Sequence, residues 1–307
     1  MKRTLPVPDL IVAGMHKCGT TSLHESLTGS AQRVDEKEPH FLVHAELERT
    51  GSAALGQIHR GGIVTDDASY AALSRRGQSW VDASVWYPAF PQAFADAYNS
   101  NWGQYGPPVL VMLREPMTRT ISSYNYGRMS NPLETAVSLE EAIDSELAGE
   151  RTGLHPSARH VESSLIANAI HVWSNAGIPL RIAHFEQVVA NPEIFVDAVA
   201  RWAGIEQTYP LPHRNAGGGT WTSDSIRRLT QVPGVSNSLQ LMRSTPLWNV
   251  LTSHLKPRLL RGTADEFIRD DQRDVLVKRF QADRSDVAAL LESPTSGVEQ
   301  IEVGERV

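Results

Sequence analysis

The chain has a single cysteine, Cys18, so no internal disulfide can form, and it offers no spaced Cys and His set with four ligands for a structural zinc. A reducing cytosol is the compartment this predicts. There is no excess of basic charge: 29 Lys and Arg against 35 Asp and Glu leave a formal net charge of −6. That argues against a general nucleic-acid binder, whose basic residues would crowd one face, and makes any basic site a local one. Long apolar runs are missing too. The opening "MKRTLPVPDLIVAG" has two early basic residues, but Pro6, Pro8 and Asp9 break its apolar stretch well short of a signal-peptide core or a membrane span. The expectation is a soluble, unexported protein without internal repeats or low-complexity tracts. What is present is 41% hydrophobic residues over 307 positions, enough for one large α/β domain or two small ones.

"PDLIVAG" is a short continuous apolar run, the pattern of a strand buried on both faces of a parallel sheet. "TTSLHESLTG" follows with Leu23 and Leu27 four apart and Gly29 as a helix stop. "PPVLVML" begins a second strand-to-helix unit, running through "REP" into a helix near Thr118 to Gly127. Further strands are predicted at "SWVDAS" and "PLRIAHF", and a helix at "NPEIFVDAVARWAG" with Pro192 in its first turn and Gly204 at its end. Ser138 and Glu141 form a capping box, a late helix spans about 270 to 291, and Trp173 reads as helix core. This alternation predicts a single α/β domain over residues 1–292, with a P-loop-like central parallel sheet flanked by helices, and a flexible C-terminal tail over 293–307.

One absence is more specific. "GMHKCGTT" nearly spells the phosphate loop of nucleotide hydrolases, G-x-x-x-x-G-K-[ST], yet Thr20 stands where the lysine belongs and a lysine occurs earlier, at Lys17. A glycine-containing turn between strand and helix points backbone amides and the positive helix end at a phosphate. Gly14 and Gly19 permit close approach, Thr20, Thr21 and Ser22 add hydroxyl and amide donors, and Lys17 adds a charge. Taken alone, such a turn is more often a mere connection. In "LREPMTRTISSY", Arg114 ends a strand and Ser122 lies eight residues on, two turns into the next helix, a pair able to hold a second phosphate at the same sheet edge. A lone arginine there would ordinarily pair with Glu115 or another surface acid.

With both motifs in order, the sequence resembles the sulfotransferases that use 3′-phosphoadenosine-5′-phosphosulfate (PAPS), and is most similar to the branch of glycosaminoglycan O- and N-sulfotransferases and bacterial relatives. "KEPHFL", "PLRIAHFEQVVANPE" and "RNAGGGTW" extend the likeness to about residue 225. The resemblance implies that Lys17, Cys18, Gly19, Thr20, Thr21 and Ser22 hold the 5′-phosphosulfate, that Arg114 and Ser122 hold the 3′-phosphate, and that Arg214, Gly218, Gly219 and Thr220 belong to a loop covering the cofactor. That loop departs from the family, whose glycine segment commonly carries a basic residue. Here Gly217 to Gly219 offer amides alone, leaving Arg214, Arg227 or Arg228 to supply charge.

Sulfuryl transfer needs an acceptor that loses a proton and a leaving phosphate that gathers charge, so positioning and electrostatics carry it. The resemblance makes Glu38 the general base, with His40 as the alternative, and gives Lys17 the leaving phosphate. Burial that raised the pKa of Glu38 would suit it to the role. "DEKE" is otherwise a charge run of the kind that faces solvent. Lys37 is either a contact to the sulfuryl group or an ordinary surface lysine, and Asp82 and Ser84, at a strand end, are placed for polar contact with the acceptor or Lys17. Cys18 contributes its amide rather than a thiol nucleophile. No metal is needed for the transfer, and adenosine 3′,5′-bisphosphate is the product. The acceptor is a hydroxyl, with an amine as second choice, on a small molecule, saccharide or lipid precursor; residues 127–162 and those after Trp221 are read as shaping its pocket.

Two other readings compete. A small-molecule kinase would need a lysine after Gly19 and an acid at a strand end to help hold magnesium, where this chain has Thr20 and Arg114. A non-catalytic nucleotide-binding relative would have no use for both Lys17 and Glu38.

Overall fold

The computed structural model describes residues 5–29, 34–50, 63–74, 78–130, 137–211 and 268–303. Five strands, β1 (Leu10–Val12), β2 (Val81–Asp82), β3 (Val109–Leu113), β4 (Leu180–His184) and β5 (Val298–Gln300), pair in parallel in the order β2-β1-β3-β4-β5. The α/β architecture with a central parallel sheet, expected from the sequence, is what the chain forms. Eleven α-helices run among the described residues: α1 (Thr20–Thr28), α2 (Val34–Lys37), α3 (His44–Arg49), α4 (Asp67–Ala71), α5 (Pro91–Asn101), α6 (Pro116–Ser130), α7 (Leu139–Leu147), α8 (Ala167–Asn175), α9 (Phe185–Ala190), α10 (Pro192–Ala203) and α11 (Asp270–Glu292).

Leu10, Ile11, Val12, Val109, Leu110 and Val111 have no exposed surface, because helices cover the sheet on both faces. Helix α1 packs on α10, while α8 packs on both α5 and α11. Trp173 of α8 is fully buried, as expected for helix core, and its indole donates to the Pro91 carbonyl at 3.0 Å. The local stops behave as their residues dictate: Gly29 and Gly204 end α1 and α10 in the left-handed conformation, and Ser138 and Glu141 cap α7 reciprocally. Part of the segment read as shaping the acceptor pocket serves a second, smaller core, in which Leu139, Ala142 and Ile143 meet Leu276 and Phe280 of α11.

The chain leaves β1 toward β2 on one side and then builds β3, β4 and β5 on the other. The order therefore reverses at β1, and the crevice at the carboxyl ends of β1 and β3 is where such sheets take ligands.

The expectation of a frayed tail from residue 293 is corrected at its centre. Val298–Gln300 forms the edge strand β5 on β4, Arg181 pairs with Glu299 at 2.6 Å, and Ile301 donates its amide to the Ile182 carbonyl at 2.9 Å. Its single buried strand residue, Val298, made the segment look like a polar tail. No helix among the described residues is long and apolar enough to cross a membrane.

Candidate functional site

The turn from β1 to α1 is built around two left-handed residues, Lys17 (φ 74°) and Gly19 (φ 82°), flanking the buried Cys18. For glycine this conformation is free; for lysine it costs energy and persists only where its surroundings hold it. Arg114, at the end of β3, does so by donating from Nη1 to the Lys17 carbonyl at 2.8 Å. Arg119 of α6 holds the preceding carbonyl, that of His16, from Nη1 at 3.3 Å. Two successive carbonyls of the turn are thus each held by an arginine. The backbone passes so close to β3 that a Cβ on Gly14 would stand 2.5 Å from Cβ of Met112, and one on Gly19 would meet the Phe185 ring at 2.7 Å.

Two cations of this turn have no carboxylate partner among the described residues. Lys17 stands over the Tyr126 ring, 5.0 Å from its centroid, and burial with Arg114 nearby holds its pKa below the usual lysine value. Arg114 stands over the Phe185 ring at 4.9 Å. The pairing with Glu115 open to a lone arginine is not made: Glu115 instead caps α6, accepting from Met117 N at 3.0 Å and Thr118 N at 2.7 Å. Burial pushes the Cys18 thiol up to about 11, so it stays protonated at neutral pH.

"KEPH" is fastened beside this turn by its ends. Ala83 N donates to the Lys37 carbonyl at 2.8 Å, and His40 N, with φ 51°, donates to Ser84 Oγ at 2.9 Å. Lys37 is buried rather than a surface lysine. Its ammonium donates to Thr21 Oγ1 at 2.9 Å and to Glu38 Oε1, so one side chain bridges the first turn of α1 and the candidate base. Glu38 is not on a solvent-facing charge run either; 13% of its side chain is exposed. His40 Nε2 stands 3.6 Å from its second oxygen. Burial pushes the Glu38 carboxyl up, but Lys37 and His40 outweigh it and hold the group well below the usual carboxylate range. That reverses the direction that burial alone predicts from sequence.

Asp82 and Ser84, expected to make polar contact with the acceptor or Lys17, are fully buried and bonded to each other and to neighbouring side chains. Asp82 accepts from Tyr70 Oη (3.0 Å), Tyr87 Oη (2.6 Å), Ser84 Oγ (2.6 Å) and Ser84 N (3.1 Å). Burial still raises its pKa. Together the pair forms a strut under His40.

Other neighbours carried no signal in the sequence. His16 Nε2 lies 2.6 Å from Ser123 Oγ, which lies 2.8 Å from His160 Nδ1, so Ser123 rather than Ser122 is tied to the turn. His16 also packs on Trp86 at 4.9 Å, and burial, then Arg119, keep its pKa well below the usual histidine value. Ser122 is half-buried on α6. A cavity of about 440 Å³ opens at the carboxyl ends of β3 and β4, lined by Cys18, Arg114, Arg119, His184, Glu186 and Arg284 among others, and Ser122 is not in that lining. Arg214, Gly218, Gly219 and Thr220 lie outside the described residues.

No family model and no curated protein sequence matches the chain. Among solved structures, it is similar to a sulfotransferase from Alicyclobacillus acidocaldarius, with a TM-score of 0.64 and 19% identity over 94% of this chain and 96% of that one. At that identity the likeness carries the fold: this chain folds as that sulfotransferase does.

Proposed function

We propose that the chain is a PAPS-dependent sulfotransferase acting on a hydroxyl-bearing small molecule, saccharide or lipid precursor. The observation that carries this is the convergence of Lys17 and Arg114 on one glycine-containing turn with no carboxylate for either among the described residues, in a chain of net charge −6. Cations held this way match an anionic ligand. The adjoining cavity of about 440 Å³ falls in the range of small-ligand sites. The fold shared with a bacterial sulfotransferase supports the same reading.

Residues of this chain divide the chemistry as follows. Lys17 and the amides of Cys18 to Thr21 hold the 5′ end of the donor and stabilise the charge that gathers on its leaving phosphate. Arg114 holds the 3′-phosphate, with Ser122 as the partner implied by the motif spacing. PAPS supplies the sulfuryl group. Glu38 takes the proton of the acceptor hydroxyl. It is already ionised at neutral pH, and Lys37, lying between Glu38 and Thr21, is placed to turn from the carboxylate toward incoming negative charge, which would restore the basicity of Glu38 at the moment it is needed. His40 orients Glu38.

Calorimetry tests the donor. Binding of adenosine 3′,5′-bisphosphate is expected, whereas tight binding of ATP with magnesium and none of the bisphosphate would sink the proposal in favour of a kinase. Incubation with PAPS and a metabolite extract, followed by a mass search for the gain of one sulfuryl group, identifies the acceptor.

A further inference from the structure

Arg119 lies five residues beyond Arg114, on α6, and is 2% exposed. Its guanidinium donates from Nε to Ser164 Oγ at 2.7 Å, from Nη1 to the His16 carbonyl at 3.3 Å and from Nη2 to the His160 carbonyl. Every one of these acceptors is neutral. No carboxylate comes within ion-pair distance among the described residues; the Cys18 thiol that neighbours it stays protonated at neutral pH, and the oxygens of Glu146, the nearest carboxylate to act on it, are engaged by the amides of Val161 and Glu162. Another neighbouring charge, Arg114, has the same sign. Burial draws the Arg119 pKa down to about 10, which still leaves it charged at neutral pH.

A buried cation that meets only neutral dipoles is costly, since its lost hydration is not repaid by an opposite charge. Methionine or leucine would pack such a site without that cost. The place where Arg119 stands suggests what offsets it. It grips the turn from behind through the carbonyl next to Lys17, and it lines the same cavity as Cys18 and Arg114. Lys17, Arg114 and Arg119 thus surround one turn, and none has an acid of its own among the described residues.

We propose that Arg119 is a positioning residue whose counter-charge is the bound ligand: it fixes the turn by the His16 carbonyl and supplies a positive field to a phosphate it does not touch. This rests on the reading that the turn takes an anionic nucleotide. A single charge acting over several ångströms at an effective dielectric near 20 changes affinity by about tenfold or more. Arg119 therefore acts on donor affinity rather than on the transfer step.

The test is a calorimetric titration of adenosine 3′,5′-bisphosphate, and separately of inorganic pyrophosphate, into the full wild-type chain, R119K and R119Q, with Tm measured for each. R119K keeps the charge with fewer hydrogen bonds, and R119Q keeps part of the hydrogen bonding without the charge. R119Q is expected to bind both probes about tenfold or more weakly, and R119K to stay close to wild type. In turnover assays the R119Q loss should fall on KM for PAPS more than on kcat. If R119Q binds as wild type does, or if R119K loses as much as R119Q in step with a fallen Tm, Arg119 is a strut alone and the proposal is overturned. If wild type binds pyrophosphate but not the bisphosphate, and R119Q is still weaker, the nucleotide reading fails while the Arg119 assignment stands. Wild-type protein that binds neither probe overturns both.

Discussion

Arg114 reaches back from the end of β3 to the carbonyl oxygen of Lys17, joining the second phosphate motif to the first at 2.8 Å. The two motifs are therefore mechanically one site, and a change in either should be felt at the other. Arg114→Ala removes a charge and frees a strained lysine backbone. We expect affinity for adenosine 3′,5′-bisphosphate to fall by about ten- to a hundredfold, the range of a lost charged hydrogen bond. Single-turnover rates with saturating PAPS should fall less. A variant that binds normally but turns over slowly would contradict this assignment.

Lys17→Ala and Glu38→Gln should both abolish transfer, for different reasons. The first removes charge at the leaving phosphate; the second removes the proton acceptor and should leave bisphosphate binding intact. Unchanged turnover in Glu38→Gln would transfer the role of base to His40, and the matching His40 variants would then show it.

The Lys37 bridge makes a pH prediction. Glu38 has a folded-state pKa below its unfolded value, so it contributes stability that is present above about pH 4.3 and is lost as pH falls through the folded value. The same depression keeps the acid limb of kcat/KM at low pH. In Lys37→Met the largest opposing charge is gone, so that limb should move to higher pH. A profile superimposable on wild type would mean that Glu38 does not titrate in the rate.

Ser84→Ala probes the strut beneath His40. It leaves the buried His40 amide without its acceptor and takes the hydroxyl donor, though not the backbone amide, from Asp82, at a cost of about 1–3 kcal/mol in stability. Turnover should drop with His40 misplaced, while bisphosphate affinity, set on the other side of the turn, should hold. Loss of both together would place Ser84 among donor contacts.

Local features were legible in the sequence because they are decided locally. The turn at Gly14 and Gly19, the stops at Gly29 and Gly204, the capping box at Ser138 and the apolar runs of β1, β3 and β4 each follow from neighbours a few residues apart. Partnerships across the chain were not. Nothing near Lys37 shows that it will be buried against Thr21, and nothing near Arg119 shows that its partners are carbonyls at 16 and 160. Asp82 and Ser84 were read only as a strand end placed for polar contact with the acceptor or Lys17, because Tyr70 and Tyr87 give no sign in the sequence of donating to the carboxylate. Phe185 was read as part of a strand, and its position against Gly19 and Arg114 emerges only when β4 lies beside β3.

The short strand β5 has a consequence for handling the protein. Shortening the chain at Glu292, the natural cut if the last residues were a loose end, would strip Val298–Gln300 from the sheet and bare the amides and carbonyls of Leu180 to Ile182. Such a freshly exposed rim invites another molecule to dock strand against strand. Val298–Gln300 thus act as a selvedge, keeping the sheet from being sewn to its neighbour.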